Sequence, residues 1–140
     1  MYLIDTNVIS EARRQHRANP GVIAFFKASA AQDAALYLSA VSVGELRRGV
    51  ELIRHRGDLQ QAGLLEQWLA GVLADYAHHI LPFDTHAAQV WGRLRVPHAE
   101  HDIDKQIAAT ALVYGLTVVT RNSADFAGTG VALKNPFLQA

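Results

Sequence analysis

The sequence contains no cysteine, and its 140 residues include a single methionine. Without cysteine the chain forms neither disulfides nor thiolate metal sites, and this composition is typical of proteins in a reducing cytoplasm. Apolar runs such as residues 108–114 fall far short of the roughly 20 residues that cross a bilayer. The amino-terminal segment has no basic stretch and no apolar run of signal-peptide length. We therefore expect a cytoplasmic protein without a membrane segment.

The chain also lacks a charge imbalance, because 13 Lys and Arg residues oppose 13 Asp and Glu residues. Zero formal net charge argues against a protein that coats nucleic acid through its overall field. The charge is unevenly distributed, however, with a basic excess in residues 11–57 and an acidic excess in residues 58–140. The basic half could hold a phosphate backbone, although solvated helix faces explain the same composition.

Several motifs of catalysis and cofactor binding are missing. The sequence has no G-x-G-x-x-G or Walker-type glycine pattern, no H-E-x-x-H zinc motif and no G-x-S-x-G nucleophile elbow. The histidines at positions 78, 79, 98 and 101 have no partner cluster at metal-ligand spacing, so we interpret them as solvated loop residues. The sequence therefore does not indicate a dinucleotide-binding protein, a zinc hydrolase or a serine hydrolase.

Short apolar runs alternate with segments of helical periodicity along the chain. This alternation predicts an α/β fold with a parallel sheet. A single domain over residues 1–140 is natural for this length. We predict strands at residues 1–4, 35–38, 80–83, 117–120 and 131–134. We predict helices at residues 6–14, 20–31, 42–55, 58–77, 84–96 and 102–114.

Four carboxylates follow a predicted strand or open a predicted helix: Asp5, Glu45, Asp104 and Asp125. In open α/β sheets the ligand crevice lies beyond the carboxyl ends of the strands, where helix N-termini also converge. Like charges in one place raise one another's pKa, and a hard divalent cation with a preference for oxygen ligands compensates for them. The joint placement of these acids therefore predicts a Mg²⁺ or Mn²⁺ site for phosphodiester chemistry.

Each carboxylate also has a purely structural explanation when it is taken alone. Asp5 is a candidate N-cap of the helix after the first strand, and the sequence Ser42–Glu45 has the pattern of a capping box. Asp104 suits the helix dipole, although Asp102 already provides a cap there. Asp125 fits an Asx-type turn. Only the convergence of the four acids on one end of one sheet favours a functional site.

Four segments resemble the motifs of PIN-domain proteins, specifically the VapC-type toxins of bacterial toxin–antitoxin pairs. Residues 2–8 read YLIDTNV, residues 42–49 read SVGELRRG, residues 104–111 read DKQIAATA, and residues 119–126 read VTRNSADF. The resemblance runs from end to end of the chain. It implies a PIN-like three-layer sandwich with a five-stranded parallel sheet flanked by helices.

The same resemblance implies a Mg²⁺- or Mn²⁺-dependent endoribonuclease that inhibits translation and growth. It also implies a homodimer and a cognate antitoxin that blocks the active site. Carried over by motif, the catalytic and metal-binding residues are Asp5, Glu45 and Asp104, with Asp125 completing that site or a second one. Candidate substrate-orienting neighbours are Thr6, Asn7, Thr120 and Asn122, and candidate phosphate contacts are Arg13, Arg14, Arg47 and Arg48.

Three other functions remain open at this point. A phosphoacceptor signalling domain would use Asp84 with Asp5 and Mg²⁺, since Asp84 also follows a predicted strand. A catalytically silent binding partner would share the fold without the chemistry, and a DNA flap nuclease would share the metal site. For the toxin, helices 20–31 and 42–77 offer apolar stripes for an amphipathic partner segment. We expect that partner to place an Arg or Lys beside the carboxylates.

Overall fold

The computed structural model describes residues 1–138, so residues 139 and 140 of the predicted domain lie outside the described residues. Residues 1–138 form an α/β fold with one five-stranded parallel sheet and six α-helices, as predicted. The strands are β1 (Tyr2–Ile4), β2 (Leu36–Ser39), β3 (Ile80–Leu81), β4 (Thr117–Val119) and β5 (Leu133–Lys134). The helices are α1 (Thr6–Ala12), α2 (Pro20–Ala31), α3 (Ala40–His55), α4 (Leu59–Asp75), α5 (Thr85–Leu94) and α6 (Asp102–Tyr114).

The strand order is β3-β2-β1-β4-β5, and every neighbouring pair is parallel. Each predicted strand and helix is present, and no boundary differs from its prediction by more than two residues. Two short 3₁₀-helices, at Gln15–Arg17 and Ser123–Phe126, lie outside those predictions. None of the described helices is long and apolar enough to cross a bilayer.

Successive residues of the central strands enter two separate cores, which makes the fold three layers deep. Ile4 and Val119 belong to a core formed with α1, α2, α3 and α4. Leu3 and Val118 belong to a core on the opposite face, formed mainly with α6. All four side chains are fully buried, and each contributes about 1.5–3 kcal/mol through burial. Helix α5 packs against α6 at the edge of this second layer.

The start of α3 corrects one sequence prediction. The N-cap is Ser39, whose Oγ accepts a hydrogen bond from Val41 N at 3.0 Å. The predicted capping box of Ser42 and Glu45 is therefore wrong. Because β2 passes into α3 without a loop, the earlier serine takes the cap position, and Ser42 is buried within the first turn. This leaves the Glu45 side chain in the second turn without a capping role.

The start of α6 corrects a second prediction. The N-cap residue is His101, with a left-handed backbone at φ 60° and ψ 46°, and not Asp102. Asp102 is the first helical residue, and its Oδ1 accepts a hydrogen bond from Arg95 Nε at 3.0 Å. The ion pair with the α5 terminus explains why this carboxylate does not turn back onto its own helix. The cap position and the first turn of α6 therefore present His101 and Asp104.

The carboxyl-terminal segment packs against the first turn of α2, where Gly21 permits a close approach. The Asn19 side chain accepts hydrogen bonds from Gly21 N and Leu138 N, and it donates one to Leu138 O. A Cβ atom at Gly21 would overlap the carbonyl oxygen of Pro136. Residues 136–138 are thus held against the N-terminal end of α2.

We expect Gly21→Ala to lower the free energy of unfolding by about 1–3 kcal/mol, because the methyl group must displace backbone atoms. Gly63→Ala in α4 is a matched control, since a Cβ there meets no atom within 4 Å. That control should raise stability by about 0.5–1 kcal/mol through its helix propensity. Urea unfolding measures both changes. Equal stabilities for Gly21→Ala and the wild type would show that residues 136–138 do not pack there.

Candidate metal centre

Asp5 lies at the centre of the carboxyl-terminal edge of the sheet. It follows β1 directly and is 3% exposed. Its carboxylate accepts hydrogen bonds from Thr6 N at 2.8 Å, from Thr120 Oγ1 at 2.7 Å and from Asn7 Nδ2 at 3.4 Å. The bond from Thr6 N makes Asp5 the N-cap of α1. Asp5 is therefore the N-cap that the sequence suggested, and the same side chain also lies at the candidate metal site.

A small polar network joins Asp5 to the loop after β4. Thr120 Oγ1 accepts hydrogen bonds from Asn122 N at 3.0 Å and from Asn7 Nδ2 at 3.4 Å. Asn7 Oδ1 accepts a further bond from Arg121 N at 3.1 Å. These bonds hold the orientation of the Asp5 carboxylate, and they arise because the register pairs Ile4 with Val119 at the ends of β1 and β4.

Three of the four acids that the sequence singles out line a single cavity of about 300 Å³. Asp5 comes from the end of β1, Glu45 from the second turn of α3, and Asp104 from the first turn of α6. The other lining residues are Thr6, Asn7, Ile103, Ile107 and Asn122. The cavity therefore combines carboxylates, short polar side chains and two apolar side chains at the carboxyl ends of the strands.

Asp125, the fourth acid, lies beside that cavity with two neighbours that bear ligand atoms. Asp104, Asp125 and His101 each offer one ligand atom, and these three atoms lie within 4.8 Å of one another. His101 Nδ1 is 3.9 Å from Asp125 Oδ1. His101 was not predicted as a site residue, because all loop histidines were interpreted as solvated. Its position three residues before Asp104, at a helix start, was the available signal, since such residues share one helical face.

The electrostatics of the cavity indicate a deficit of positive charge. Burial raises the pKa of Asp5, and the nearby Asp125 charge raises it further against the lowering effect of its hydrogen bonds. Burial also raises the pKa of Asp104 to about 6, and the charges of Asp5, Asp125 and Glu45 add to this shift. The charges of the other three carboxylates thus all act on Asp104, as like charges in a shared site do.

The residues present fit a divalent cation. Within residues 1–138, the buried Thr6 Oγ1 has no hydrogen-bond partner although it lies beside Asp5. An unpaired buried hydroxyl is costly unless another donor, a water molecule or an ion satisfies it. The donor set consists of carboxylate and hydroxyl oxygens, which are the ligands that Mg²⁺ and Mn²⁺ prefer. A cation would also offset the repulsion among the acids.

The four arginines that were predicted to contact phosphate lie in surroundings that differ from one arginine to the next. The Arg47 guanidinium donates two hydrogen bonds of 2.7 Å to Glu66 on α4, and Arg48 is exposed. Arg13 lines a groove that also contains Thr6 and Glu45. Arg14 lines a further cavity of about 220 Å³ next to Asn19 and Phe137. Two further arginines, Arg17 and Arg121, line this last cavity and were not predicted from the sequence.

Asp84 has a structural role at the start of α5. Its carboxylate accepts a hydrogen bond from Ala87 N at 3.0 Å and so caps the helix. It is not among the residues that line the acidic cavity around Asp5. The pair of acids that a phosphoacceptor domain needs is therefore not formed by Asp84 and Asp5.

The fold and the cavity together define an α/β protein with an acidic site at the carboxyl edge of a parallel sheet. The PIN domain family model matches residues 2–130, and the chain belongs to the PIN domain family. Toxin FitB of Neisseria gonorrhoeae is 37% identical over 98% of this chain and 99% of its own length. A VapC ribonuclease of Sinorhizobium fredii is 33% identical over 98% of both chains. A solved structure of FitAB bound to a DNA fragment superposes with a TM-score of 0.82 at 32% identity, covering 100% of this chain and 98% of that one.

The raised pKa of Asp104 leads to a prediction for the metal-free protein. The folded state binds this proton more tightly than the unfolded chain does, so stability falls as the pH rises through about 6. We expect Asp104→Asn to raise the melting temperature at pH 8 by roughly 2–4 °C. The difference in melting temperature between Asp104→Asn and the wild type should shrink as the pH falls from about 6 to about 4.

Asp102→Asn is the matched control for this measurement. Asp102 lies two residues away and forms an ion pair with Arg95, so its removal should leave the melting temperature unchanged or slightly lower. Calorimetry in EDTA at several pH values tests both variants. A melting temperature of Asp104→Asn below that of the wild type at pH 8 would contradict the repulsion described above.

Proposed function

We propose that this chain is a Mg²⁺- or Mn²⁺-dependent endoribonuclease that acts as the toxin of a toxin–antitoxin pair. The observation that carries the proposal is the meeting of Asp5, Glu45 and Asp104 in one cavity of a PIN domain. The names of two relatives, a toxin and a VapC ribonuclease, support it. A silent binding partner would have no need of three acids whose burial and mutual repulsion oppose folding.

The chain's own residues define how the site would work. Asp5, Glu45 and Asp104 would hold the ion, with Asp125 beside them. When it is bound, such an ion lowers the pKa of a water molecule and neutralises charge that grows on the phosphate. Thr120 and Thr6 N hold the Asp5 carboxylate in place through their hydrogen bonds.

The polar and apolar walls of the cavity complete this mechanism. Asn7 and Asn122 present amide groups beside the acids, where they would orient the RNA phosphate. Ile103 and Ile107 also line the cavity and would exclude bulk water from part of the site. Fixed polar groups of the protein, and not mobile water molecules, would then stabilise the charge on the reacting phosphate.

The arrangement of arginines suggests a path for the RNA backbone. Arg14, Arg17 and Arg121 line one cavity, and the Arg121 backbone is bonded to Asn7 at the acidic site. Guanidinium groups bind phosphates through paired hydrogen bonds. We assign the backbone contacts to Arg17, Arg121 and Arg13, because Arg47 is paired with Glu66 across α3 and α4 and Arg14 is paired with Glu11.

The proposal includes the assembly of the protein. FitAB and VapBC structures similar to this chain are complexes of a toxin with its antitoxin. We propose that this chain forms a homodimer and binds a cognate antitoxin that blocks the acidic cavity. The whole chain would be one PIN domain acting in the cytoplasm, where RNA cleavage stops translation and growth. Light scattering of the chain alone and with its partner measures both assemblies.

The test of the enzymatic proposal uses the purified chain and a labelled RNA. Cleavage should require Mg²⁺ or Mn²⁺, stop in EDTA and return when the ion is restored, because oxygen ligands hold an exchangeable metal. A DNA substrate of the same sequence separates a ribonuclease from a flap nuclease. RNA cleavage that continues undiminished in EDTA would contradict the proposed metal dependence.

A further inference from the structure

The loop before α6 carries a nitrogen donor to the edge of the acidic cavity. His101 is the residue at the helix cap, and its ring lies with Asp104 and Asp125 so that one ligand atom of each falls within 4.8 Å of the others. Neither His101 nor Asp125 is among the residues that line the cavity around Asp5 and Glu45. Asp104 alone belongs to both groups.

A buried lysine holds this loop in place. Lys105 is 7% exposed, and its Nζ donates a hydrogen bond of 2.6 Å to His98 O. Its backbone N–H donates to His101 O at 2.9 Å. The loop between the two histidines is therefore tied to α6 at both ends by one residue. This fixes the backbone of His101 beside Asp125 and gives Lys105 a structural role.

We propose that His101, Asp104 and Asp125 form a mixed nitrogen and oxygen position that takes Mn²⁺ or another first-row transition ion in preference to Mg²⁺. The proposal deepens the metal dependence proposed above and rests on it. Imidazole is a ligand of transition ions, whereas Mg²⁺ favours oxygen ligands and water. The position therefore differs in donor chemistry from the oxygen-only set of Asp5 and Glu45.

The geometry leaves room for this coordination. The three ligand atoms lie within 4.8 Å of one another, which is somewhat wider than metal–ligand bonds of about 2.1 Å would need. The side chains of His101 and Asp125 are 49% and 38% exposed. Because both have solvent on one side, small rotations of these side chains close the remaining gap without disturbing the core.

The experiment measures ion binding without RNA. Electron paramagnetic resonance of the Mn²⁺-loaded protein, with pulsed detection of ¹⁴N coupling, reports a histidine ligand directly. His101→Asn removes the imidazole, and asparagine tolerates the left-handed backbone of this position. His98→Asn is the matched control, because that side chain lies in the same loop, is 77% exposed and faces Glu100.

The wild type should show ¹⁴N coupling that His101→Asn loses and His98→Asn retains. The Mn²⁺ Kd of His101→Asn should rise by at least about tenfold, the lower limit for losing even an outer-shell partner, while the Mg²⁺ Kd changes less. His101→Gly, which suits the left-handed backbone still better, should give the same result if His101→Asn folds poorly. Absence of ¹⁴N coupling in the wild type, or its persistence in both His101 variants, overturns the inference.

The outcome separates this inference from the proposed function. Metal-dependent RNA cleavage without ¹⁴N coupling would leave the ribonuclease standing and remove His101 from the metal site. Coupling without any RNA cleavage would support His101 as a ligand and contradict the ribonuclease. Binding that weakens equally for Mn²⁺ and Mg²⁺ in both His101 variants would show a structural effect of the loop, and the inference would fail.

Discussion

Asp5→Asn is expected to abolish RNA cleavage while the protein stays folded. The substitution removes the charge of the most buried of the four acids, which is 3% exposed. Asparagine is as good an N-cap as aspartate, so α1 keeps its cap through the bond from Thr6 N. The amide NH2 group of asparagine would take the place of Oδ2 and donate to Thr120 Oγ1, which donates to the carboxylate in the wild type. We expect the cleavage rate to fall by at least about a hundredfold, which is the upper range for disturbing the surroundings of a metal ligand.

Asp84→Asn is the matched control for this substitution. Asp84 also follows a strand and caps a helix, but it does not line the cavity. Its variant should cleave RNA at the wild-type rate. Circular dichroism and thermal unfolding establish that both variants fold. Full RNA cleavage by a folded Asp5→Asn protein would remove Asp5 from the mechanism.

The second large expected effect is inhibition of this chain by the proposed antitoxin. The apolar stripes on α3 and α4 pack largely in the core, where Leu46, Val50 and Leu69 are buried. A groove of about 190 Å³ nevertheless remains between these helices and α1, and it extends to Glu45. An amphipathic segment in this groove would bring a basic side chain to the carboxylates. We expect the partner to reduce RNA cleavage and growth inhibition to background.

A single glycine on the groove allows a clean test of this interface. Gly49 lines the groove, and a Cβ atom there meets no atom within 4 Å. Gly49→Gln therefore fills the groove without changing the core, and it should weaken inhibition by at least about tenfold, as loss of about 1.4 kcal/mol of binding does. Gly63→Gln on α4 is the control, because Gly63 has equal space and lies outside the groove.

The partner's own residues provide a complementary test. Replacing its basic residue nearest the carboxylates should weaken inhibition more than an equivalent change at the rim of the interface. The measured quantity is activity with the partner divided by activity without it, so that changes in the enzyme itself cancel. If the two proteins are co-expressed and fail to associate, the toxin–antitoxin assignment fails even though the nuclease assignment could stand.

The sequence predicted the architecture because its signals are local and repeated. Alternating apolar runs and helical segments determine a parallel α/β fold, whose helices begin within two residues of the predicted positions. The exact start of α3 was not predictable in this way, because Ser39 and Ser42 are both good caps. Only the length of β2, which is set by pairing with its neighbours, decides between them.

The candidate site was predictable to the extent that strand ends and helix starts bring residues together. Asp5, Glu45 and Asp104 line one cavity because all three follow that rule. Arg121 was missed because its place near the site depends on a bond from its backbone N–H to Asn7. His101 was missed although its spacing from Asp104 at a helix start was a local signal. Arg47, which its motif position suggested as a phosphate contact, has Glu66 beside it through tertiary packing, and the sequence pattern did not predict that neighbour. Pairwise tertiary contacts of this kind leave no periodic pattern in a sequence.

The central claim is that this chain cuts RNA with its acidic cavity, and the most direct measurement is a map of RNA ends in living cells. The wild-type chain and Asp5→Asn would be induced separately in a bacterium without the partner, and new RNA 5′ ends would be compared. We expect discrete new ends and growth arrest with the wild type, and neither with Asp5→Asn. The same new ends in both strains, or growth arrest by the wild type without any new ends, would contradict the account.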